Sequence, residues 1–220
     1  MFVKFLMNPD PAWGTPDMSA IEAQEMMTTK SIRYLPIVDG EKNLVGLITK
    51  SSLKAALPSD VSQFSHFEIS YTLGKIKVQS IMVTDVVSIE EDIPIEHAAW
   101  LMADRKIGTL PVVSDGKLIG IISDSNIFIA MTSLLGAYEP GIRVTVLQPD
   151  KSGVVAKLTN AIYEEGGYLS VCVGYYPKNL EGKWISVCKI QNLDQQRIEK
   201  IIDNLENASI LDIRQLQEHA

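Results

Sequence analysis

Cysteine is scarce: the 220 residues hold two, Cys172 and Cys188. Two are too few for a disulfide framework, and their spacing is far from C-x-x-C. Reduced thiols are the default reading, and a mutual pair requires that their strands be neighbours. The three histidines, His66, His97 and His219, are scattered. No H-E-x-x-H, P-loop, G-x-S-x-G or G-x-G-x-x-G pattern occurs, so the common hydrolase, metalloprotease and dinucleotide signatures are missing. Glu90-Glu91-Asp92 has no His or Cys partner and reads as a solvated acidic turn, not a metal site. No apolar run approaches the roughly 18 residues a membrane-spanning helix needs. The apolar start Met1–Met7 is stopped by Asn8-Pro9-Asp10-Pro11, so it does not read as a signal peptide. A cytoplasmic protein with no membrane partner is the expectation. Positive charge is also short, with 20 Lys+Arg against 27 Asp+Glu, a net charge of −7. That excludes the broad basic face of a non-specific nucleic-acid binder.

What is present is an ordinary globular composition, 46% apolar and 21% charged, in a chain long enough to bury a sizeable core. The charge is uneven. Residues 1–140 carry 11 basic and 17 acidic side chains, net −6, whereas residues 141–220 carry 9 and 10, net −1.

An internal repeat organises the first two-thirds. Tyr34-Leu35-Pro36-Ile37-Val38-Asp39-Gly40 is echoed by Thr109-Leu110-Pro111-Val112-Val113-Ser114-Asp115-Gly116. Leu44-Val45-Gly46-Leu47-Ile48-Thr49 is echoed by Leu118-Ile119-Gly120-Ile121-Ile122-Ser123, and Met7 falls opposite Met82. The offset is 75 residues before the turn and 74 after it, which fits two copies of a small α/β module. Each copy reads as helix, strand, turn, strand, helix. Ile95, Ala98, Ala99 and Met102 share one helical face, with Pro94 in the first turn. Ser19-Ala20-Ile21-Glu22 has capping-box spacing ahead of Ala20, Ala23 and Met27. The two apolar strand pairs read as hairpins around Asp39-Gly40 and Asp115-Gly116. Pro36 and Pro111 each forbid one ladder bond, which places them at a strand start or an edge. Leu57-Pro58-Ser59-Asp60 breaks a helix between the copies.

After Gly136–Gly141 the order changes to βαββαβ. Ile142–Leu147 is a strand. Asp150–Gly153 turns into a helix carrying Val154, Leu158, Ala161 and Ile162, which Gly166-Gly167 ends. Tyr168–Tyr175 and Lys183–Ile190 are strands. Asp194 caps a helix carrying Ile198, Ile201, Ile202 and Leu205, and Ile210–Ile213 closes the sheet. This is the ferredoxin-like order, which assigns no function by itself.

The paired Leu35-Pro36-Ile37-Val38 and Leu110-Pro111-Val112-Val113 hairpins, each followed by its Gly-containing strand, resemble a tandem pair of CBS (cystathionine β-synthase) domains. The C-terminal part, with Asp150-Lys151-Ser152-Gly153-Val154 opening its first helix, looks like an ACT domain, a regulatory module of amino-acid metabolism. The combination resembles the AcuB-like acetoin-utilisation proteins. The fold class implied is α/β (α+β): two CBS-type modules packed as a pair, over residues 1–60 and 78–135 with a linker at 61–77, plus a ferredoxin-like ACT domain over 141–220.

The resemblance implies a non-catalytic regulatory protein. Such pairs bind ligands, commonly adenine nucleotides, in clefts between the modules. Its pattern Gly-x-x-Ser/Thr-x-x-Asp supplies backbone N–H groups and a hydroxyl at a helix start for phosphate, and an Asp for ribose. Here Thr49 and Ser123 hold the hydroxyl positions, and Ser52 and Asn126 replace the Asp. Asn126 offers both an acceptor and a donor, while Ser52 is shorter. Helix capping alone is the competing reading of Thr49 and Ser123. Carried onto this chain, the nucleotide-binding set is Arg33, Pro36, Thr49, Ser52, Val87, Ser88, Thr109, Pro111, Ser123 and Asn126. Ala12-Trp13 matches the base-contacting segment in the first copy, where the indole would stack on a base or fill the first cleft. Lys30, Arg33 and Lys50 flank the first motif, and Arg105 and Lys106 the second. Unless these are solvated surface charges, they suit a monophosphate, a dinucleotide or an adenosyl compound better than free ATP.

In the ACT-like part, Asp150, Ser152 and Gly153 with Asn160 would receive an amino-acid effector, and an ordinary helix-capping turn is the alternative. No metal and no resident cofactor are expected. The partners implied are a small-molecule ligand, a second copy in a homodimer and a regulated metabolic enzyme. A ligand-free scaffold that docks such an enzyme is the competing function.

Overall fold

The computed structural model describes residues 1–56 and 66–216. The Leu57–Asp60 breaker, the start of the expected linker and His219 lie outside the described residues. The chain divides into two compact units, residues 1–128 and 129–220.

The first unit contains α1 (Ala20–Thr29), β1 (Tyr34–Val38), β2 (Leu44–Thr49), α2 (Lys50–Ala55), α3 (His66–Lys75), α4 (Ile95–Arg105), β3 (Thr109–Ser114) and β4 (Lys117–Ser123). Helix α5 (Asp124–Leu134) begins in this unit, and the division falls inside it, ahead of the Gly136–Gly141 segment. The hairpins β1–β2 and β3–β4 are antiparallel, with equivalent registers that pair Tyr34 with Thr49 and Thr109 with Ser123. Ser19 begins α1 with a complete capping box to Glu22. Pro94 is the N-cap of α4 rather than its first helical residue. The apolar face of α1, through Ala20, Ala23 and Met27, is buried against Leu35, Ile37 and Ile48 of the hairpin.

Pro36 and Pro111 sit in mid-strand, not at a strand start. The segment before each module runs parallel to its hairpin as a one-residue bridge, Gly14 to Ile37 and Ile89 to Val112. Gly14 and Ile89 donate their N–H groups to the carbonyls of Pro36 and Pro111, at 2.9 and 3.0 Å. A residue's N–H and C=O point to the same side of a strand, so each missing proline N–H faces a side where the ladder is only this bridge long. An edge-like position is therefore available inside the strand.

The modules also exchange their leading segments. Asn8 pairs with Ile121 of the second hairpin, and Val83 pairs with Leu47 of the first. Each crossing passes over a glycine. A Cβ on Gly120 would come within 2.6 Å of the Met7 sulfur and 3.0 Å of the Asn8 carbonyl oxygen, and one on Gly46 would overlap Met82. The echo of Met7 by Met82 in the sequence records this packing of methionine on glycine.

The second unit adds β5 (Gly141–Pro149), α6 (Val154–Glu164), β6 (Tyr168–Tyr175), β7 (Lys183–Gln191), α7 (Gln195–Asp203) and β8 (Ser209–Leu216). Its sheet runs β6-β7-β5-β8 with every neighbouring pair antiparallel, the ferredoxin-like arrangement. Ile142, Val144, Val146, Cys188 and Ile190 form one core with Leu158 and Ile162 of α6 and Ile198, Ile201 and Ile202 of α7. The buried Lys189 is satisfied by the carbonyls of Gly136 and Glu139. Burial lowers its pKa.

Candidate functional site

A cleft of about 300 Å³ opens where the N-terminal segment crosses the second hairpin. Pro11, Ala12, Ile32 and Ile121 supply apolar walls, and Asn8, Ser31, Arg33, Tyr34, Thr109, Ser123, Ser125 and Asn126 supply polar atoms. Arg33 and Tyr34 enter from the start of β1, and Ser123 and Asn126 from the β4–α5 junction. Apolar walls with a few converging polar groups are the general make-up of a small-molecule site.

An ion pair made by Arg33, a residue of the cleft wall, links the modules. The Arg33 guanidinium donates to Asp124 Oδ1 at 2.6 Å. Burial pushes the Asp124 carboxyl up, but Arg33 and the Ser125 N–H outweigh it, so the group stays below its ordinary range. Asp124 in turn raises Arg33. The repeat does not duplicate this pair: Gly108 and Lys50 stand at the equivalent positions. A Cβ on Gly108 would lie 2.8 Å from the Tyr34 hydroxyl and 3.0 Å from Asp124 Oδ2, so the glycine leaves room for both.

Both motifs cap helices. Ser52 donates its N–H to Thr49 Oγ1 at 3.0 Å, and the Thr49 N–H donates to Ser52 Oγ at 2.8 Å. At the second motif the Ser123 N–H and hydroxyl donate to Asn126 Oδ1 at 2.9 and 2.7 Å. The Asn126 N–H returns a longer bond to Ser123 Oγ. The two differ in what remains. Ser52 Oγ donates to the Thr49 carbonyl at 2.9 Å and is fully engaged. Asn126 keeps its Nδ2 donors at the rim of the cleft, since its Oδ1 makes the cap. An Asp at this position would accept from a ribose hydroxyl, whereas Asn126 would donate to one.

The structure thus brings together Arg33, Thr109, Ser123 and Asn126 of the residues expected from sequence. Thr109 is buried and donates its hydroxyl to the Ile122 carbonyl. Pro36 and Thr49 lie on the other hairpin, and Ser52 lies on α2, which follows it. Val87 and Ser88 precede the Ile89 bridge to β3, as Ala12 and Trp13 precede the Gly14 bridge to β1. Pro111 is the residue whose carbonyl accepts that Ile89 bond. Ala12 lines the cleft of the second motif, not of its own module, because the leading segments cross. Trp13 is 41% exposed and sits with Pro9, Pro11, Val38, Lys42 and Leu118, outside this cleft. Of the flanking cations, only Arg33 lines it. Arg105 pairs with Asp104, Lys30 and Lys106 are exposed at helix ends, and Lys50 faces an adjoining cavity between α1, α2 and α3 that Ser31, Ile32 and Arg33 also line.

Sequence reasoning missed Asn8, Ser31, Tyr34 and Ser125. Tyr34 had a readable signal, since it is the repeat equivalent of Thr109. Asn8 had none, because a single-residue bridge leaves no periodicity. In the second unit, Gly153 caps α6 with a positive φ of 84° and no side-chain hydrogen bond. Asn160 donates to Glu164 on the same helix, and the Asp150 N–H donates to the Gly182 carbonyl.

Among the described residues, no cluster of three or more His, Cys, Asp or Glu could hold a metal ion. No helix there is long and apolar enough to cross a membrane.

Comparison with known proteins concerns the first part of the chain. The CBS-domain family model matches residues 3–59 and 78–133. The inosine-5′-monophosphate dehydrogenase of Methanocaldococcus jannaschii is 38% identical over 110 residues, 50% of this chain but only 19% of that enzyme. The chain therefore spans about a fifth of that enzyme's length. Among solved structures, a Vibrio cholerae protein named for acetoin utilization (AcuB) has a TM-score of 0.52 at 31% identity, over 64% of this chain and 98% of its own. CBSX2 in complex with AMP has a TM-score of 0.51 at 31% identity, covering 60% and 96%. The CBS domain pair of protein MJ0100, in complex with 5′-methylthioadenosine and S-adenosyl-L-methionine, has a TM-score of 0.50 at 28% identity, covering 60% and 99%.

Proposed function

The chain belongs to the CBS-domain family, and from that premise we propose that it is a non-catalytic regulator whose second-motif cleft binds an adenosyl compound. One observation carries the choice of ligand. Arg33, the only cation lining the cleft among the described residues, is already paired with Asp124. A polyphosphate would meet no uncompensated positive charge there and would face the Asp124 carboxylate. A phosphate-free adenosyl ligand meets no such penalty, and a sulfonium would be attracted. The ligands of the MJ0100 pair and of CBSX2 support the adenosyl class. The base would sit between Ala12 and Ile121, with the ribose toward Asn126 Nδ2.

The first motif favours the scaffold reading on its own side, because Thr49 and Ser52 satisfy each other without a ligand. The second unit reads as an ACT-like module. Its α6 start, which has no side-chain cap and lies beside Asp150, Ser152 and Gly153, would be the effector end, and Asn160 would add a polar group. Solvent-facing Trp100 and Phe128, 58% and 63% exposed, support a homodimer or a docked enzyme partner.

The test is calorimetric titration of the full chain with 5′-methylthioadenosine, S-adenosyl-L-methionine, AMP and ATP. The expected order puts the first two ahead of AMP, and AMP ahead of ATP. ATP binding at least as tightly as 5′-methylthioadenosine would reject the electrostatic argument.

A further inference from the structure

The two cysteines stand directly opposite each other on β6 and β7, with their sulfurs 3.6 Å apart. Nothing in the proposed ligand chemistry uses them. Directly opposed residues of an antiparallel pair hold their Cα atoms about 4.5–5.5 Å apart, within the range a disulfide spans. Side-chain rotation is therefore enough to close the bond. The two thiols are unequal. Cys172 is exposed on the edge strand, and Cys188 is buried in the core behind it.

We propose that Cys172 and Cys188 are a reversible thiol–disulfide site, oxidised by a low-molecular-weight disulfide that reaches Cys172 first. The Cys172 sulfur attacks one sulfur of that disulfide and forms a mixed disulfide, and the first small thiol leaves with the proton Cys172 has lost. The Cys188 sulfur then attacks Cys172 Sγ and breaks the mixed disulfide. The second small thiol leaves with the Cys188 proton. Two protein thiols have lost two electrons, and one small disulfide has become two thiols. The division of labour follows from the geometry: a small disulfide can reach Cys172, and only Cys172 can reach Cys188. The Cys188 thiol donates its hydrogen bond to Cys172. That bond brings Cys172 down to about 7 and raises Cys188. A thiolate at the exposed position is the attacking species such exchange requires.

The experiment equilibrates the full chain across a series of reduced-to-oxidised glutathione ratios, quenches with acid, alkylates and measures intact mass. Wild type is expected to pass from two free thiols to none in a single transition, without an accumulated glutathione adduct. Cys188→Ser is expected to accumulate a glutathione adduct on Cys172. Cys172→Ser is expected to react at least tenfold more slowly than wild type. Circular dichroism checks that the variants fold, and the wild-type transition needs no variant at all. A stable glutathione adduct in wild type, or two free thiols at the oxidised end of the series, would overturn the proposal.

Discussion

Arg33 and Asp124 set the charge of the cleft, and each makes a separate prediction. Replacing Asp124 by Asn frees the guanidinium, so Asp124→Asn should bind AMP about tenfold more tightly, a gain of roughly 1.4 kcal/mol. Binding of 5′-methylthioadenosine should stay nearly unchanged. Titration of both ligands against both proteins reads this directly, and an equal change for the two would contradict it. Acid stability gives an independent reading. The Asp124 carboxyl is held below its ordinary range in the folded state. Its contribution is therefore present above the unfolded carboxylate pKa and is lost as pH falls through the folded value. The urea midpoint of wild type should drop on acidification below about pH 4 more steeply than that of Asp124→Asn. The pair is partly exposed, so the difference will be small. Asn126→Ala should weaken the adenosyl ligand by roughly tenfold through loss of the Nδ2 donor, and should also lower stability by about 1 kcal/mol through the lost cap.

At the level of elements, the crossed leading segments hold the two hairpins in one unit. Gly120 is their most sensitive point, because a side chain there meets the Met7 sulfur and the Asn8 backbone. Gly120→Val should cost on the order of 1–3 kcal/mol by overpacking, and should weaken ligand binding as well, since Asn8 lines the cleft. Thermal melts with and without ligand measure both effects. Much of this level was legible in the sequence. The hairpins, the Ser19 capping box, the Asp194 cap and the βαββαβ order all follow from local periodicity and turn chemistry, which act over a few residues. The exchange of segments was not legible. It rests on the single-residue bridges of Asn8 and Val83, and their partners are more than thirty residues away. For the same reason the pairing of Arg33 with Asp124 of the other module has no signal in the sequence, whereas its grouping with Lys50 does, since both line the cavity beside α2. Of the two places proline allowed, the strand start is not used and the edge is, because β1 and β3 belong to two-stranded sheets whose other side carries only a one-residue bridge.

On the scale of the molecule, 220 residues and a charge of −7 resolve into a CBS pair and a four-stranded ferredoxin-like unit. Most of the acidity falls in the CBS pair, and on the proposed reading Asp124 would make that acidity select a ligand rather than merely repel anions. A ligand held between segments of both modules would stabilise their mutual arrangement, and it can regulate only if it binds two arrangements unequally. The most direct measurement is the melting temperature of the full chain with millimolar 5′-methylthioadenosine, S-adenosyl-L-methionine, AMP or ATP, repeated on Asn126→Ala. A ligand at a hundred times its Kd adds about 2.7 kcal/mol, which is several degrees for a chain of this size. The account predicts such a shift for the phosphate-free adenosyl compounds, a smaller one for AMP, little for ATP, and a reduced response in the variant. No shift with any adenosyl compound, or the same shift in Asn126→Ala as in wild type, would contradict it.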